Sequence, residues 1–400
     1  MNDSIRILES IQVVTPNEGY VFDLGSLYER FEQLTDTRDR RGKRYALALI
    51  LTLMVLAKLA GEHGISGIAD WARLRCGLLV TAFQLQRPKL PGHNTYRRAC
   101  SGAVEPSALQ QVVSEALLSA PQAGQSVLLS LDGKALRGSW SKARPAGVQL
   151  LAAYLPAEGL VLMQVAVAQK TNEITAAPQV LKCLDLRGKV VMGDALHTQR
   201  ALSVQIVASD ADYLWYAKEN QPSLRADIEL TFQPEKCGPG SKPVPTVVAS
   251  DMQTDKGHGR IEKRTLTSSS LLKDYLDWPH AAQVFKLERQ VWDLDMKPVR
   301  SEVVYGLTSL SATQADPARL LELTRGYWGI ENGLHYRRDV TLREDATRTR
   351  NARQAEVNAI LNNWLIGVVL QHGWHNLAEA QRYYAANLAA SMRLLLCHPN

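Results

Sequence analysis

The sequence predicts an α/β protein, with a largely buried sheet in the middle of the chain and helical stretches before and after it. Three observations predict this. Apolar residues recur at helical spacing up to about residue 124. From Gln125 the texture changes to apolar runs that end in turns, alternating with short helical patterns. After Ala352 a helical pattern continues almost to the end. With 400 residues there is room for two or three domains, and 46% hydrophobic against 22% charged residues marks a folded chain rather than a disordered one.

In order along the chain, residues 45–60 are helix-forming and apolar nearly all round, as in a core helix. Gly61, Gly64 and Gly67 break it, and residues 68–79 read as an amphipathic helix. In the basic stretch RPKLPGHNTYRRA, Asn94 or Thr95 could cap a helix carrying Tyr96, Arg97 and Arg98. Residues 104–118 form one more helical pattern. The segment SVLLSLDG then predicts a strand ending in an Asp-Gly turn, and VQLLAAYLP and GLVLMQVAVAQ two further strands. A helix over 176–184 leads to the strand KVVMGDALHT, which ends on Asp194 and passes into a helix reaching Val207. ADYLWYAKEN is a fifth strand. Strands alternating with helices of this length imply a sheet covered on both faces. From Gln221 to about Leu310, short alternating strands follow a Gly/Pro cluster, CGPGSKPVP, as in a β-rich insertion; helical pattern resumes at Pro317 and runs through Glu331. The expected division is 1–124 helical, 125–220 first part of the catalytic domain, 221–312 insertion, and 313–400 the Glu331 helix with C-terminal helices.

The formal net charge of +6 suits a polyanionic partner, but such a balance also occurs without one. Cys76, Cys100, Cys183, Cys237 and Cys397 are odd in number and form no C-x-x-C pair, against a disulfide framework or a zinc site. A reducing, cytoplasmic setting is expected. Asp3 and Glu9 stand where a signal peptide would be basic. The most apolar stretch, 47–57, is shorter than the roughly 20 residues a bilayer needs, so no membrane partner is expected.

Three acids stand out. Asp132 lies where an apolar strand runs out, followed by Gly133; it is either a solvated turn carboxylate or a ligand at a strand end. Asp194 repeats the arrangement and could simply cap the next helix. Two such aspartates on neighbouring strands of one sheet would repel unless a cation lay between them, and an all-carboxylate set suits magnesium. Glu331 follows the insertion; at 3.6 residues per turn Tyr327, Glu331, His335 and Arg338 share a face, either solvated or functional. Three carboxylates around two cations fit phosphoryl transfer.

LSLDGKALRGS, VVMGDALHTQR, YLWYAKENQPSL and RGYWGIENGLHYRRDVTLREDATRTRN resemble the successive blocks of ISAs1-type insertion-sequence transposases, the H-repeat-associated group of the IS4-like DDE superfamily. The resemblance covers nearly the whole chain. It implies an RNase H-like catalytic domain with a β-rich insertion between the second aspartate and the glutamate, and Asp132, Asp194 and Glu331 as catalytic and metal residues. It implies two Mg2+ ions, with Mn2+ able to substitute. The activity implied is cleavage of double-stranded DNA at element ends followed by strand transfer to target DNA, by a homodimer when ends are synapsed near the nucleoid. Relatives tend to carry His-Trp before the glutamate motif where this chain has Tyr327-Trp328, and an aromatic and an aliphatic residue before the aspartate where it has Tyr336-Arg337-Arg338.

Candidate DNA contacts are Lys134 and Arg137 after the first aspartate; Lys218, Asn220 and Gln221 after the fifth strand; Lys256, His258, Arg260 and Lys263 in a basic loop; and His335 with Arg338 near the glutamate. The alternatives are a polar turn for 218–221, an exposed hairpin for 256–263, and for Arg338 a surface ion pair with Asp339 or Glu344. Arg38, Arg40, Arg41, Lys43 and Arg44, mixed with Asp36 and Asp39, read as a solvated helix start; RPKLPGHNTYRR is the better DNA-contacting element of the first domain. A metal-dependent DNase without strand transfer and a non-catalytic DNA-binding descendant remain alternative functions.

Overall fold

The computed structural model describes residues 20–22, 27–39, 41, 43–115, 117–119, 127–167, 173–233, 248–257 and 259–396. The expectations for the first 19 residues, the Gly/Pro cluster at 237–245, Cys237, Cys397 and His258 lie outside them. In chain order the first part contains β1 (Tyr20–Phe22), α1 (Leu27–Glu32), α2 (Leu47–Leu59), α3 (Ile65–Leu74), α4 (Cys76–Ala82), α5 (His93–Arg98), α6 (Pro106–Glu115) and β2 (Leu117–Ser119). Then come β3 (Val127–Leu136), β4 (Val148–Leu155), β5 (Leu160–Val167), α7 (Glu173–Lys182), β6 (Lys189–Gly193), α8 (Arg200–Val207), β7 (Asp212–Ala217) and α9 (Pro222–Thr231). The rest is β8 (Ala249–Gly257), β9 (Arg260–Ser269), β10 (Gln283–Asp293), β11 (Pro298–Thr308), α10 (Pro317–Tyr327), α11 (Ala352–Gln371), α12 (Leu377–Ala386) and α13 (Leu388–Leu396). This is a mixed α/β protein with helices toward both termini. None of the described helices is long and apolar enough to cross a membrane.

The chain divides into two compact units: residues 1–122, 133–170 and 330–400 in one, residues 123–132 and 171–329 in the other. The second holds seven neighbouring strands in the order β3-β6-β7-β11-β10-β9-β8. β3, β6 and β7 are parallel, and β11, β10, β9 and β8 extend the same sheet antiparallel from β7. β6 is buried along its whole length, which is why it reads as an unbroken apolar run rather than an alternating one. Val190, Met192 and Leu214 of the parallel strands pack with Leu320, Leu321, Leu323 and Tyr327 of α10. Asp316 caps α10 by accepting from Arg319 N–H, and Pro317 starts it without losing a needed donor. The parallel core therefore fixes β3, which carries Asp132, and β6, which ends just before Asp194.

The first unit is helical, with β1 paired antiparallel to β2 and a β4–β5 hairpin. All thirteen residues of α2 are buried, as its mostly apolar composition suggests, and Thr52 and Lys58 are buried with the rest. Leu136, Val148 and Leu150 pack against Ala355 and Ala359 of α11, whose small side chains allow close approach.

Several expectations differ from the structure. The 68–79 pattern is two helices, α3 and α4, meeting at Arg75. α5 starts at His93 after Gly92, so neither Asn94 nor Thr95 caps it. The pattern expected over 104–118 is α6 followed by strand β2. β3 does not end at Asp132–Gly133 but continues to Leu136, because Leu136 has a core to reach. α9 stands where the sequence reads as the beginning of the β-rich stretch.

Candidate active site

The parallel ladder between β3 and β6 places the two aspartates. Its last register pair is Leu131 with Gly193, so Asp132 and Asp194 are each the next residue after that pair. Neighbouring strands lie about 4.8 Å apart. The two aspartates thus follow the same register pair on adjacent backbones, Asp194 just past the end of β6 and Asp132 within β3, where its ladder to β6 stops.

Asp194 leads into the short 3-10 turn Ala195–His197 and caps it, Leu196 N–H donating to its Oδ1 at 3.0 Å. Asp194 thus caps this turn and not the helix α8, whose N-cap is Gln199, and the carboxylate stays 42% exposed. Beneath it His197 is buried, its Nε2 3.9 Å from Glu173 and 4.0 Å from Asp194. Burial holds the His197 imidazole below its ordinary pKa, against the pull of Asp194, so it is neutral at pH 7. Gly193 makes this packing possible: a Cβ there would lie 2.7 Å from His197 Cδ2. Sequence reasoning passed over His197 and Glu173, although the i,i+3 spacing of Asp194 and His197 is visible in GDALHT.

Glu331 lies in the first unit on the π-helical turn Ile330–His335, followed by a second such turn, Arg337–Thr341. These wide turns replace the regular helix expected from 3.6-residue counting. Glu331 and His335 still meet, His335 Nδ1 standing 3.5 Å from Glu331 Oε2. The bond from His335 holds the Glu331 carboxyl below its ordinary range, outweighing its partial burial, with help from Lys134. Glu331 is 56% exposed, so its charge is available to a ligand.

Arg338 does not share that exposed face. It is completely buried, with Nη2 2.7 Å from Glu344 Oε2, and the predicted DNA contact is corrected to a buried ion pair. The widened turn directs position 338 inward. Lys134 is similarly committed, its Nζ 2.6 Å from Asp339 Oδ2 in a buried setting, and His335 is buried beside Glu331. None of the three offers an open cation to a phosphate. Asn220 and Gln221 spend their side-chain amides on the carbonyls of Ala195 and Thr198. Arg137 is 85% exposed, and Lys218, Lys256 and Arg260 are exposed, with Lys263 half-buried.

Comparison with known proteins bears on this arrangement. The family described as the transposase DDE domain matches residues 123–366, more than half of the chain. The chain belongs to the DDE transposase family. The DDE_Tnp_1-associated family matches residues 28–115, the helical part ahead of β2. Escherichia coli YhhI, which carries the name of an H repeat-associated transposase, is 26% identical over 92% of this chain and 99% of its own length. A Xanthobacter autotrophicus protein from the dhlA 3′ region is 31% identical over 62% of this chain and 80% of its own. A piggyBac transposase synaptic complex with hairpin DNA aligns over 92% of this chain and 78% of that one, with a TM-score of 0.45 and 10% identity. The chain is a DDE-type transposase, and transposases of this type act on DNA with a divalent cation.

Proposed function

We propose that this transposase cuts double-stranded DNA at the ends of an insertion sequence and joins the freed 3′-hydroxyl to target DNA, with Asp132, Asp194 and Glu331 as its three acids. The observation that carries the reading is the position of Asp132 and Asp194, each one residue beyond the Leu131–Gly193 pair of adjacent parallel strands. Two carboxylates placed this way repel unless a cation joins them, and the nearby His197 is neutral. Hard oxygen donors of this kind fit magnesium, with manganese as a substitute. When bound, a pair of such ions supplies positive charge to the attacking and leaving oxygens of an in-line displacement at phosphorus. The chain's own part is to present ionised, oriented acceptors: Leu196 N–H fixes Asp194, and His335 keeps Glu331 unprotonated.

In the same reading residues 125–220 and 313–400 form an RNase H-like catalytic domain, 221–312 an insertion, and 1–124 a helical accessory domain. Arg137, Lys218, Lys256, Arg260 and Lys263 contact phosphates, and two copies of the chain act together on two synapsed ends, in the cytoplasm at the nucleoid. The test is cleavage of a duplex carrying an element end. Asp132→Asn, Asp194→Asn and Glu331→Gln should each lower magnesium-supported cutting by roughly a hundredfold or more while end-binding persists. Near-wild-type cutting removes that residue from the site, and full cutting in excess chelator overturns the cation. Pre-cleaved ends that are never joined would leave an endonuclease in place of a transposase.

A further inference from the structure

The loop after β7 clamps the turn that carries Asp194. Asn220 Nδ2 donates to Ala195 O at 2.6 Å, and Gln221 Nε2 donates to Thr198 O at 3.0 Å. Thr198 Oγ1 donates in return to Tyr216 O at 2.7 Å, next to the end of β7. Gln199 Nε2 reaches back to Leu196 O at 3.1 Å. The turn is thus held at both of its ends by side chains of the neighbouring strand's exit loop: Ala195 O accepts from Asn220 in addition to Thr198 N–H, and Thr198 O accepts from Gln221. From below, His197 fills the space that Gly193 leaves open. Asp194 is therefore the first residue of a turn whose backbone is fixed on two sides.

We propose that Asn220 and Gln221 are positioning residues for Asp194: their amides hold the 195–198 turn so that the Asp194 carboxylate meets a divalent cation in a preset orientation, and they do not read DNA. This rests on the reading of Asp194 as a cation ligand. Groups that orient a ligand from behind typically change metal affinity by about 10–100-fold when removed. An amide that touched DNA would instead change DNA affinity and leave the cation alone.

The experiment uses the full chain and Mn2+ as the probe, with free Mn2+ followed by electron paramagnetic resonance and DNA affinity measured separately on an end duplex without metal. Asn220→Leu and Gln221→Met remove the donors and keep the bulk; Asp194→Asn is the control. The expected result is Mn2+ affinity about tenfold weaker in at least one of the two variants, with metal-free DNA affinity unchanged. Weaker DNA binding with unchanged Mn2+ affinity overturns the clamp in favour of a DNA contact. Unchanged values of both overturn it outright. If one variant does not fold, the other decides. Should Asp194→Asn keep wild-type Mn2+ affinity, the reading of Asp194 fails and the clamp falls with it; should that control lose affinity while both loop variants keep it, only the clamp fails.

Discussion

Arg338→Met should cost the protein a large part of its stability. Arg338 is wholly buried and Glu344 is 8% exposed, with 2.7 Å between Nη2 and Oε2. Arg338 Nε also donates to Glu344 Oε2 at 2.8 Å, and Nη1 to Gln164 Oε1 at 3.2 Å. Asn362 Nδ2 donates to the other carboxylate oxygen at 2.9 Å, and Lys58 Nζ donates to Asn362 Oδ1 at 2.9 Å. Removing the guanidinium leaves a carboxylate in a dry setting without its countercharge, a loss of about 3–5 kcal/mol against a total of roughly 5–15 kcal/mol. Urea unfolding followed by far-UV ellipticity measures it. The double variant Arg338→Met with Glu344→Gln should recover at least about 1.5 kcal/mol, because the uncompensated charge is gone. A pH signature follows. Burial pushes the Glu344 carboxyl up, but the Arg338 charge and hydrogen bond override it and hold the group below its ordinary range. Without Arg338 the burial effect, the largest of the influences, is opposed only by the Asn362 hydrogen bond and the Lys134 charge, and the expectation is a folded pKa above the unfolded one. Stability is then lost as pH rises between those two values, and the variant's deficit should be smaller at pH 5 than at pH 8. A deficit under about 1 kcal/mol, as for a surface pair, or a double variant less stable than the single one, would refute this account.

Other expectations are more local. Lys58 is fully buried, which lowers its ammonium pKa from 10.5 to about 8. The unfolded chain holds that proton more tightly, so wild-type stability relative to Lys58→Met should rise between pH 8 and 10.5 in urea titrations; a flat difference contradicts the burial. Gly138→Ala would set a Cβ 2.5 Å from Thr347 O and 2.9 Å from Asp345 O, both backbone atoms that cannot swing aside. Its unfolding free energy should drop by about 1–3 kcal/mol, and a neutral result would show that the 344–347 turn yields freely. Replacing Lys256, Arg260 and Lys263 together with alanine should reduce the slope of log DNA affinity against log salt by about 0.9 for each phosphate that these side chains neutralise. Lys134→Ala should leave that slope unchanged, and the reverse pattern would move the DNA surface.

The parallel core was legible because its signal is local. Apolar runs such as VVMG, bounded by glycine and acid, mark buried strands without reference to the rest of the chain, and the register then brings Asp132 level with Asp194. Arg338 was legible only in part: the sequence offered Glu344 as one of two ion-pair partners, but as a surface pair, not a buried one. Its partners are Glu344, six residues on, and Gln164, 174 positions away, and nothing in YRRDVT distinguishes an inward arginine from an outward one. The π-helical turns around Glu331 have no compositional mark, yet they decide which residues share its face. α9 was legible in principle: Pro222 opens it, and Leu224 and Ile228, four apart, are its buried residues. The texture of the strands after it obscured a helix of only ten residues.

The charges near the acids divide by burial, and that division bears on how DNA can be held. Lys134, His335 and Arg338 sit in the two most characteristic sequence blocks, where a motif-based reading makes them the natural phosphate contacts. All three are buried beside carboxylates: Lys134 beside Asp339, Arg338 beside Glu344, and His335, whose imidazole burial holds below its ordinary pKa, beside Glu331. A cation already desolvated and paired, as Lys134 and Arg338 are, gains little from a phosphate, since it would have to abandon its carboxylate partner, which for Arg338 is the buried Glu344. The proposed phosphate contacts Arg137, Lys218, Lys256 and Arg260 are instead exposed and hydrated, on loops and on the β8–β9 hairpin. Phosphate contacts of that kind position a duplex without reading its sequence. The salt dependence of binding should therefore follow the exposed loops, while substitutions inside the acidic blocks should change stability or chemistry and leave the salt slope alone.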